Sequence, residues 1–211
     1  MSDSTALDTQ DADIPAVDAK SAPEDRATSG PFDEAEVDSS SSYIDLGGVR
    51  IPAREGLQLR LEVEEGTKRV VAVALDYAGS TLQLQPFAAP RSTGLWHEIR
   101  RQIAEQIEKQ GGRTKPIDGP FGPEVLAQIP TVLQGGEGST RIARFVGVDG
   151  PRWFLRGVIA GRGAVDRAAA AQVEDLFRSV VVSRGGGPMP PRDLIPLRMP
   201  AMPAPQPASA E

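Results

Sequence analysis

Two runs of apolar residues near the middle of the chain, 142–148 and 153–159, are separated by Asp149-Gly150-Pro151-Arg152. Turn-forming residues between β-branched and aromatic flanks predict a β-hairpin with a four-residue loop, in which Val148 pairs with Trp153. Because both faces of this hairpin are apolar, we expect it at the centre of a sheet that is covered on both sides. One face would carry Ile142, Val146, Val148, Trp153, Leu155 and Ile159, and the other Ala143, Phe145, Phe154 and Val158.

Strand-like patterns also fill residues 43–87. The segment YIDLGGVRIP (43–52) indicates two β segments broken at Gly47-Gly48, with Pro52 at an edge or a strand end. The segment LQLRLEV (57–63) alternates apolar and polar residues, as a half-exposed strand does. With the apolar segments that follow, residues 43–87 are predicted to form an antiparallel meander.

Two segments have helical periodicity. Apolar residues at Trp96, Ile99, Ile103 and Ile107 predict a helix from Thr93 or Gly94 to Gln110, ended by Gly111-Gly112. A second helix is expected over 164–178. The valines at 180–182 could extend that helix, but their β-branched side chains favour a short last strand.

Residues 113–138 are rich in proline and glycine. We expect a loop, then a short helix that begins at Pro123 and ends before Pro130, then a glycine-rich turn at 134–139. The fold class predicted from these elements is α+β, with an antiparallel sheet of six to eight strands and two main helices packed on it.

The two ends of the chain have a different composition. Residues 1–42 carry eleven acidic residues against Lys20 and Arg26, a net charge of −9, so the rest of the chain is +3. This acidic segment is predicted to be a disordered tail and residues 184–211 an extended proline-rich tail, on either side of one domain at 43–183. The C-terminal segment PPRDLIPLRMP could be a strap over the domain or a polyproline-type ligand for another protein.

Composition excludes several classes of chemistry. The absence of cysteine excludes disulfides and thiolate chemistry and suits a reducing cytoplasm, and the single histidine, His97, cannot form a histidine-rich metal site. No run of about 18 apolar residues occurs, and the acidic N-terminus does not resemble a signal peptide, so we expect a cytoplasmic protein without a membrane span.

Motifs for catalysis or cofactor binding are equally scarce. Neither a dinucleotide-binding glycine motif nor a P-loop occurs, and the serines have no nucleophile-elbow context. We therefore expect no cofactor, and no catalytic or metal-binding residue can be named.

The arginines are the main candidates for a binding site. Arg144 and Arg156 interrupt the apolar runs, and in the expected register Arg144 lies opposite Gly157, and Arg156, on the other face, lies opposite Phe145. A buried arginine needs an internal partner, a route to solvent or an anionic ligand. Arg101 could extend a basic surface, and Phe32, an aromatic among acidic residues, could contact a partner.

Seven sequence blocks, spread in order over about residues 30–200, are distinctive. They are GPFD at 30–33, YIDLGGVRIP at 43–52, EGLQLRLEV at 55–63, the Trp96 helix, GPFGPE at 119–124, RWFLRGVIAG at 152–161 and GPMPPRDLIPL at 187–197. Together they resemble a family of actinobacterial proteins that is known as a domain of unknown function. The resemblance implies a cytoplasmic protein of this size whose gene lies near those for dUTPase and a small OB-fold-like protein.

Three hypotheses for function follow. The leading one is a non-enzymatic module that binds a protein partner through a sheet edge or the tails. The second is a protein, enzymatic or not, that binds an anion or a nucleotide through Arg144, Arg156 or the loop at 118–123. The third, nucleic-acid binding, has weak support because a charge of +3 is small and aromatic residues are few. The surroundings of the two arginines discriminate between the first two.

Overall fold

The computed structural model describes residues 19–38, 42–132 and 138–200, and their fold is α+β, as predicted. The strands form a seven-stranded sheet and a four-stranded sheet rather than the single sheet expected. The strands are β1 (Phe32–Asp33), β2 (Tyr43–Asp45), β3 (Val49–Pro52), β4 (Gln58–Val63), β5 (Val70–Tyr77), β6 (Ser80–Ala88), β7 (Arg113–Gly119), β8 (Gly122–Val132), β9 (Gly138–Asp149), β10 (Trp153–Gly161) and β11 (Val181–Val182). The helices are α1 (Arg26–Ser29), α2 (Trp96–Lys109) and α3 (Arg167–Arg178).

The large sheet has the order β4-β5-β6-β10-β9-β8-β7 and is antiparallel throughout. Its central hairpin, β9–β10, is covered on both faces, as its two apolar faces predict. On one face its residues pack with α3 and the small sheet in the main core. On the other face, Phe154 packs with Trp96 of α2.

The register of this hairpin differs from the prediction. Val148 pairs with Leu155, and Phe154 pairs with Asp149. Asp149 therefore belongs to the strand instead of the turn, because its carboxylate accepts hydrogen bonds from the N-terminus of α2 rather than from the turn itself. A displacement of two residues leaves every side chain on its predicted face, so both faces are as expected.

The small sheet corrects the predicted meander over 43–87. Its order is β1-β11-β3-β2, so the strands on either side of Gly47-Gly48 pair with each other and not with β4. β11 confirms the short last strand at the valines, and it pairs antiparallel with β3 and parallel with β1. The meander is limited to β4, β5 and β6.

Residues 113–132 form the hairpin β7–β8, so the predicted loop and short helix are wrong. β8 accommodates two prolines because each lies where only one neighbour is paired: Pro123 precedes the residues paired with β9, and Pro130 follows those paired with β7. Proline lacks the N–H group of an inner strand but is tolerated at such positions. Pro116 lies in the edge strand β7. Residues 134–137 of the glycine-rich turn predicted at 134–139 lie outside the described residues, and residues 138–139 belong to β9.

The expected disorder of residues 1–42 is wrong for residues 19–38, while residues 1–18 lie outside the described part. The Asp149 N–H donates to the Ser21 carbonyl, the Ser21 N–H donates to the Asp149 carboxylate, and Phe32–Asp33 pair with β11. Acidic side chains here have specific partners: Arg26 donates to Glu36, and the Trp153 indole donates to Asp33 at 2.8 Å. These long-range contacts, which composition does not encode, order a segment of low hydrophobicity.

Residues 184–200 follow the surface of the domain, and the strap is the alternative that the structure shows. Ile195 donates its N–H to Pro86, and Leu197 bridges to Gly47 and Val70. Ile195 is only 2% exposed and belongs to the main core. Residues 201–211 lie outside the described part of the chain. Within that part, no helix is long and apolar enough to cross a membrane.

Candidate functional site

An open cleft of about 650 Å³ lies between α3 and the β7–β8 hairpin, and we call it the α3 cleft. It lies over the face of the large sheet that carries Arg144. Its lining combines apolar side chains with carboxylates and two arginines. The lining residues are Ile117, Asp118, Gly119, Pro120, Leu126, Arg144, Gly163, Ala164, Val165, Asp166, Arg167, Ala170, Ala171 and Glu174.

Arg144 joins two carboxylates at the base of the α3 cleft. Its Nη2 lies 2.8 Å from Oε2 of Glu124 and 2.7 Å from Oε1 of Glu174. Glu124 comes from β8, the neighbour of β9, while Glu174 comes from α3. The arginine that the sequence offered as an anion site thus has two internal counter-ions, and the cluster carries one surplus carboxylate.

Glu124 is fully buried, and its Oε1 has no hydrogen-bond partner among the described residues. That oxygen packs against Gly119, where a Cβ atom would lie only 1.8 Å from it, so glycine is required beside the carboxylate. Burial raises the pKa of Glu124, Arg144 opposes the rise, and the charge of Glu174 adds to it. The two carboxylates raise the pKa of Arg144 despite its burial, so the guanidinium remains charged.

Arg156 lies on the opposite face of the sheet, as predicted, and pairs across the strands with Gly147 and Gln85. Its Nη2 donates to the Gln85 side chain, whereas its Nε is buried without a partner. No carboxylate within the described ranges lies within ion-pair distance of it, and burial lowers its pKa. The sheet therefore separates Arg156 from Arg144, and the two arginines do not converge on one pocket.

The other two predicted site residues lie apart from the α3 cleft. Arg101 is exposed on α2 and lies 3.7 Å from Glu105 in an i,i+4 pair. Phe32 is half-buried in β1, where it extends the small sheet. Neither residue lines the cleft with Arg144.

Glu124 and Glu174, the partners of Arg144, were not candidates in the sequence. Glu124 follows Pro123 and lies within the predicted short helix, and the sequence EVLA at 124–127 lacks the alternation of polar and apolar residues that would have indicated the strand. Glu174 lies on the partly exposed side of α3, and nothing in the helical pattern distinguishes it from a solvated glutamate. Only the tertiary packing of α3 on the sheet brings it to Arg144.

Asp149 is a second buried carboxylate, and its role is structural. It accepts hydrogen bonds from the backbone N–H groups of Ser21 at 3.0 Å, Leu95 at 2.8 Å and Trp96 at 3.4 Å. Burial raises the pKa of Asp149, while these donors and Lys20 oppose the rise. Asp149 thus joins the N-terminal segment, the central hairpin and the start of α2.

The sequence of the chain matches that of a known protein family. One family model matches residues 30–206, most of the chain, from β1 to beyond the strap. The chain belongs to the family described as "Protein of unknown function (DUF3710)". The DUF3710 match agrees with the domain of unknown function that the seven sequence blocks resemble. It includes every residue that lines the α3 cleft.

No curated protein and no solved structure matched the DUF3710 chain. The family match identifies the domain but assigns no activity to it, and the actinobacterial origin and the gene neighbourhood remain expectations. Among the described residues, no group of three or more His, Cys, Asp or Glu is arranged to hold a metal ion. The function must therefore be inferred from the chemistry of the cleft.

Proposed function

We propose that the protein is a non-enzymatic protein-interaction module of the cytoplasm, and that the α3 cleft binds a partner segment with a cationic side chain beside an apolar one. The observation that carries this proposal is the surplus of carboxylates around Arg144. Three carboxylates line the cleft, those of Asp118, Asp166 and Glu174, against the guanidinium groups of Arg144 and Arg167, and the buried Glu124 adds a fourth carboxylate behind Arg144.

The charge balance favours a cation over an anion. Even without the buried Glu124, the three carboxylates of the lining outnumber its two arginines. An anion approaching Arg144 would compete with Glu124 and Glu174, which already hold the guanidinium. A partner's lysine or arginine would instead gain from the carboxylate excess.

The apolar part of the lining specifies the other half of the ligand. Val165 is 67% exposed at the rim, and Ile117 and Leu126 are only partly buried. Covering these side chains with an apolar residue of a partner would stabilise the complex at roughly 25 cal/mol per Å² of apolar surface removed from water, less the cost of ordering both chains.

The lining supports binding rather than catalysis. It contains no serine, threonine, cysteine, lysine, histidine or tyrosine, so carboxylates are its only side chains of a nucleophilic type. One of these carboxylates, that of Glu174, is held by Arg144, as is the buried Glu124 behind the lining. These features support the leading hypothesis from the sequence over the anion-binding alternative, which loses Arg144 as a free cation.

A random peptide library displayed on phage, selected on the immobilised full-length protein, tests this proposal. We expect enrichment of peptides with lysine or arginine within two residues of an aliphatic or aromatic residue. The substitution Ala171→Arg places a cation in the cleft from an exposed position of α3 and should abolish capture. Gln172→Arg adds the same side chain at the next exposed position, outside the lining, and should bind like the wild type.

Two results would overturn the proposal. One is enrichment of acidic peptides or of none, because the carboxylate excess would then have no role in recognition. The other is equal capture by the Ala171→Arg and Gln172→Arg proteins, which would place the binding surface elsewhere.

A further inference from the structure

Three arginines lie on segments from distant parts of the chain that adjoin at one end of the large sheet, and we call this group the arginine corner. Arg91 follows β6, Arg152 lies in the β9–β10 turn, and Arg184 follows β11. A backbone hydrogen bond of 3.0 Å from Ala89 to Arg152 joins the first two segments. Strand β1 connects the third segment to the other two. Its Asp33 pairs with Val182 in the small sheet and accepts a hydrogen bond from the Trp153 indole.

No carboxylate of the described residues lies within 4.0 Å of the guanidinium groups of Arg91, Arg152 or Arg184, unlike those of the ion-paired arginines. Two acidic residues are close, but both have other contacts. Asp33 accepts from the Trp153 indole and from the N–H of Ala35. Glu34 accepts from the N–H of Gly185 at 3.2 Å and lies 3.7 Å from Arg50.

The side chain of Arg184 is only partly satisfied. Its Nη1 donates to the carbonyl groups of Gly185 at 3.1 Å and Gly187 at 3.0 Å, which fixes the guanidinium, while its Nε is buried without a partner among the described residues. Burial lowers the pKa of Arg184, and the charges of Arg152 and Arg91 lower it further. Lys20 adds a cation nearby, since its Nζ donates to Pro151 at 2.8 Å.

The corner is also open. At Gly185, Gly186 and Gly187 no atom lies within 4 Å of the place where a Cβ would be, and Arg91 is exposed. A ligand can therefore approach both the glycine backbone and the arginines. A cluster of like charges destabilises the folded protein. A multivalent anion relieves this repulsion, and its oxygens accept hydrogen bonds from the free N–H groups of the arginines.

We propose that Arg91, Arg152 and Arg184 form a binding site for a phosphate group. Arginine presents a planar fork of donors that matches phosphate oxygens, and several forks can share one group. This site lies apart from the α3 cleft, has the opposite charge and does not depend on the proposed function.

The test is a titration of the ¹⁵N-labelled full-length protein with inorganic pyrophosphate, at an ionic strength held constant with sodium chloride. We expect saturable shifts in the backbone amide signals of Gly185 to Gly187 and of Arg152. The substitution Arg152→Gln should weaken binding by about tenfold or more, since it removes charge-assisted hydrogen bonds. Arg113→Gln, at an exposed arginine of β7, is the matched control and should bind like the wild type.

A second titration, with a short single-stranded oligonucleotide, distinguishes free phosphate compounds from the phosphates of a nucleic acid. Shifts at the same amides with a stronger dependence on salt would assign the site to a nucleic-acid backbone. Shifts with pyrophosphate alone would assign it to a small phosphate compound. Absence of saturable shifts with both probes, or equal affinities of Arg152→Gln and Arg113→Gln, would overturn the proposal.

Discussion

At the scale of single residues, the two buried carboxylates are satisfied to different extents. The Asp149 carboxylate accepts hydrogen bonds from three backbone N–H groups. Glu124 has one oxygen without a partner among the described residues, and its other oxygen accepts hydrogen bonds from Arg144. A buried charge with incomplete partners costs stability, and such groups are more common at functional sites than in cores. This contrast separates a structural carboxylate from a candidate functional one.

Replacing Glu124 with glutamine should change how stability depends on pH. The folded-state pKa of Glu124 is raised, so between the unfolded and the folded pKa the native protein binds more protons than the unfolded chain, and stability falls as pH rises. Glu124→Gln removes this loss. Its free energy of unfolding relative to the wild type should therefore increase as the pH rises through the range above the ordinary pKa of a glutamate, about 4.

Urea unfolding across that pH range measures the effect, and Glu65→Gln, at an exposed position, is the control expected to follow the wild-type curve. If the difference between Glu124→Gln and the wild type does not change with pH, burial does not raise this pKa.

At the scale of elements, the sequence predicted those parts in which local pattern and tertiary environment agree. The central hairpin, α2 and α3 follow from their apolar periodicity. The β7–β8 hairpin did not, because Pro123 and Pro130 are tolerated only through the staggered pairing of β8, which a local pattern cannot show. The strap was one of two open alternatives for the same reason: its apolar residues fit either a core or a partner.

The strap should contribute to stability through Ile195. Ile195→Ala should lower the free energy of unfolding by about 2–4 kcal/mol, because it removes a side chain that is 2% exposed and leaves a cavity against the core. Met199, 73% exposed in the same segment, provides the matched control, and Met199→Ala should change stability by less than about 0.5 kcal/mol. Chemical unfolding of the three proteins is the measurement, and equal stabilities would mean that the strap is not packed in solution.

At the scale of the whole molecule, the domain extends further toward both ends than composition indicates. The acidic segment 19–38 and the proline-rich segment 184–200 contact the β-sheets, although neither has a strand or helix period. The candidate site was also only partly predictable, because the sequence identified Arg144 but not the two glutamates that form ion pairs with it. Long-range contacts determine both the extent of the domain and the partners of Arg144. Local patterns in a single sequence do not show such contacts.

Truncation tests the new N-terminal boundary. Removal of residues 1–18 leaves the contacts among residues 19–38, 42–132 and 138–200 in place, and we expect an unchanged unfolding midpoint. Removal of residues 1–42 deletes β1 and leaves Asp149 without the N–H of Ser21, so the free energy of unfolding should fall by more than the ~1–3 kcal/mol that an unsatisfied buried polar group costs. Thermal unfolding of both proteins checks this, and equal midpoints would restore the boundary at residue 42.

The parallel pairing of β1 with β11 joins the earliest described strand to the latest one. During synthesis on the ribosome, β4 to β6 and then β7 to β10 can pair with their sequence neighbours as they emerge. The small sheet must wait for β11, because β11 lies between β1 and β3. Until then Val49 and Ile51, both fully buried in the finished fold, lack their cover, so a nascent or prematurely ended chain would expose apolar surface to other proteins in the cell.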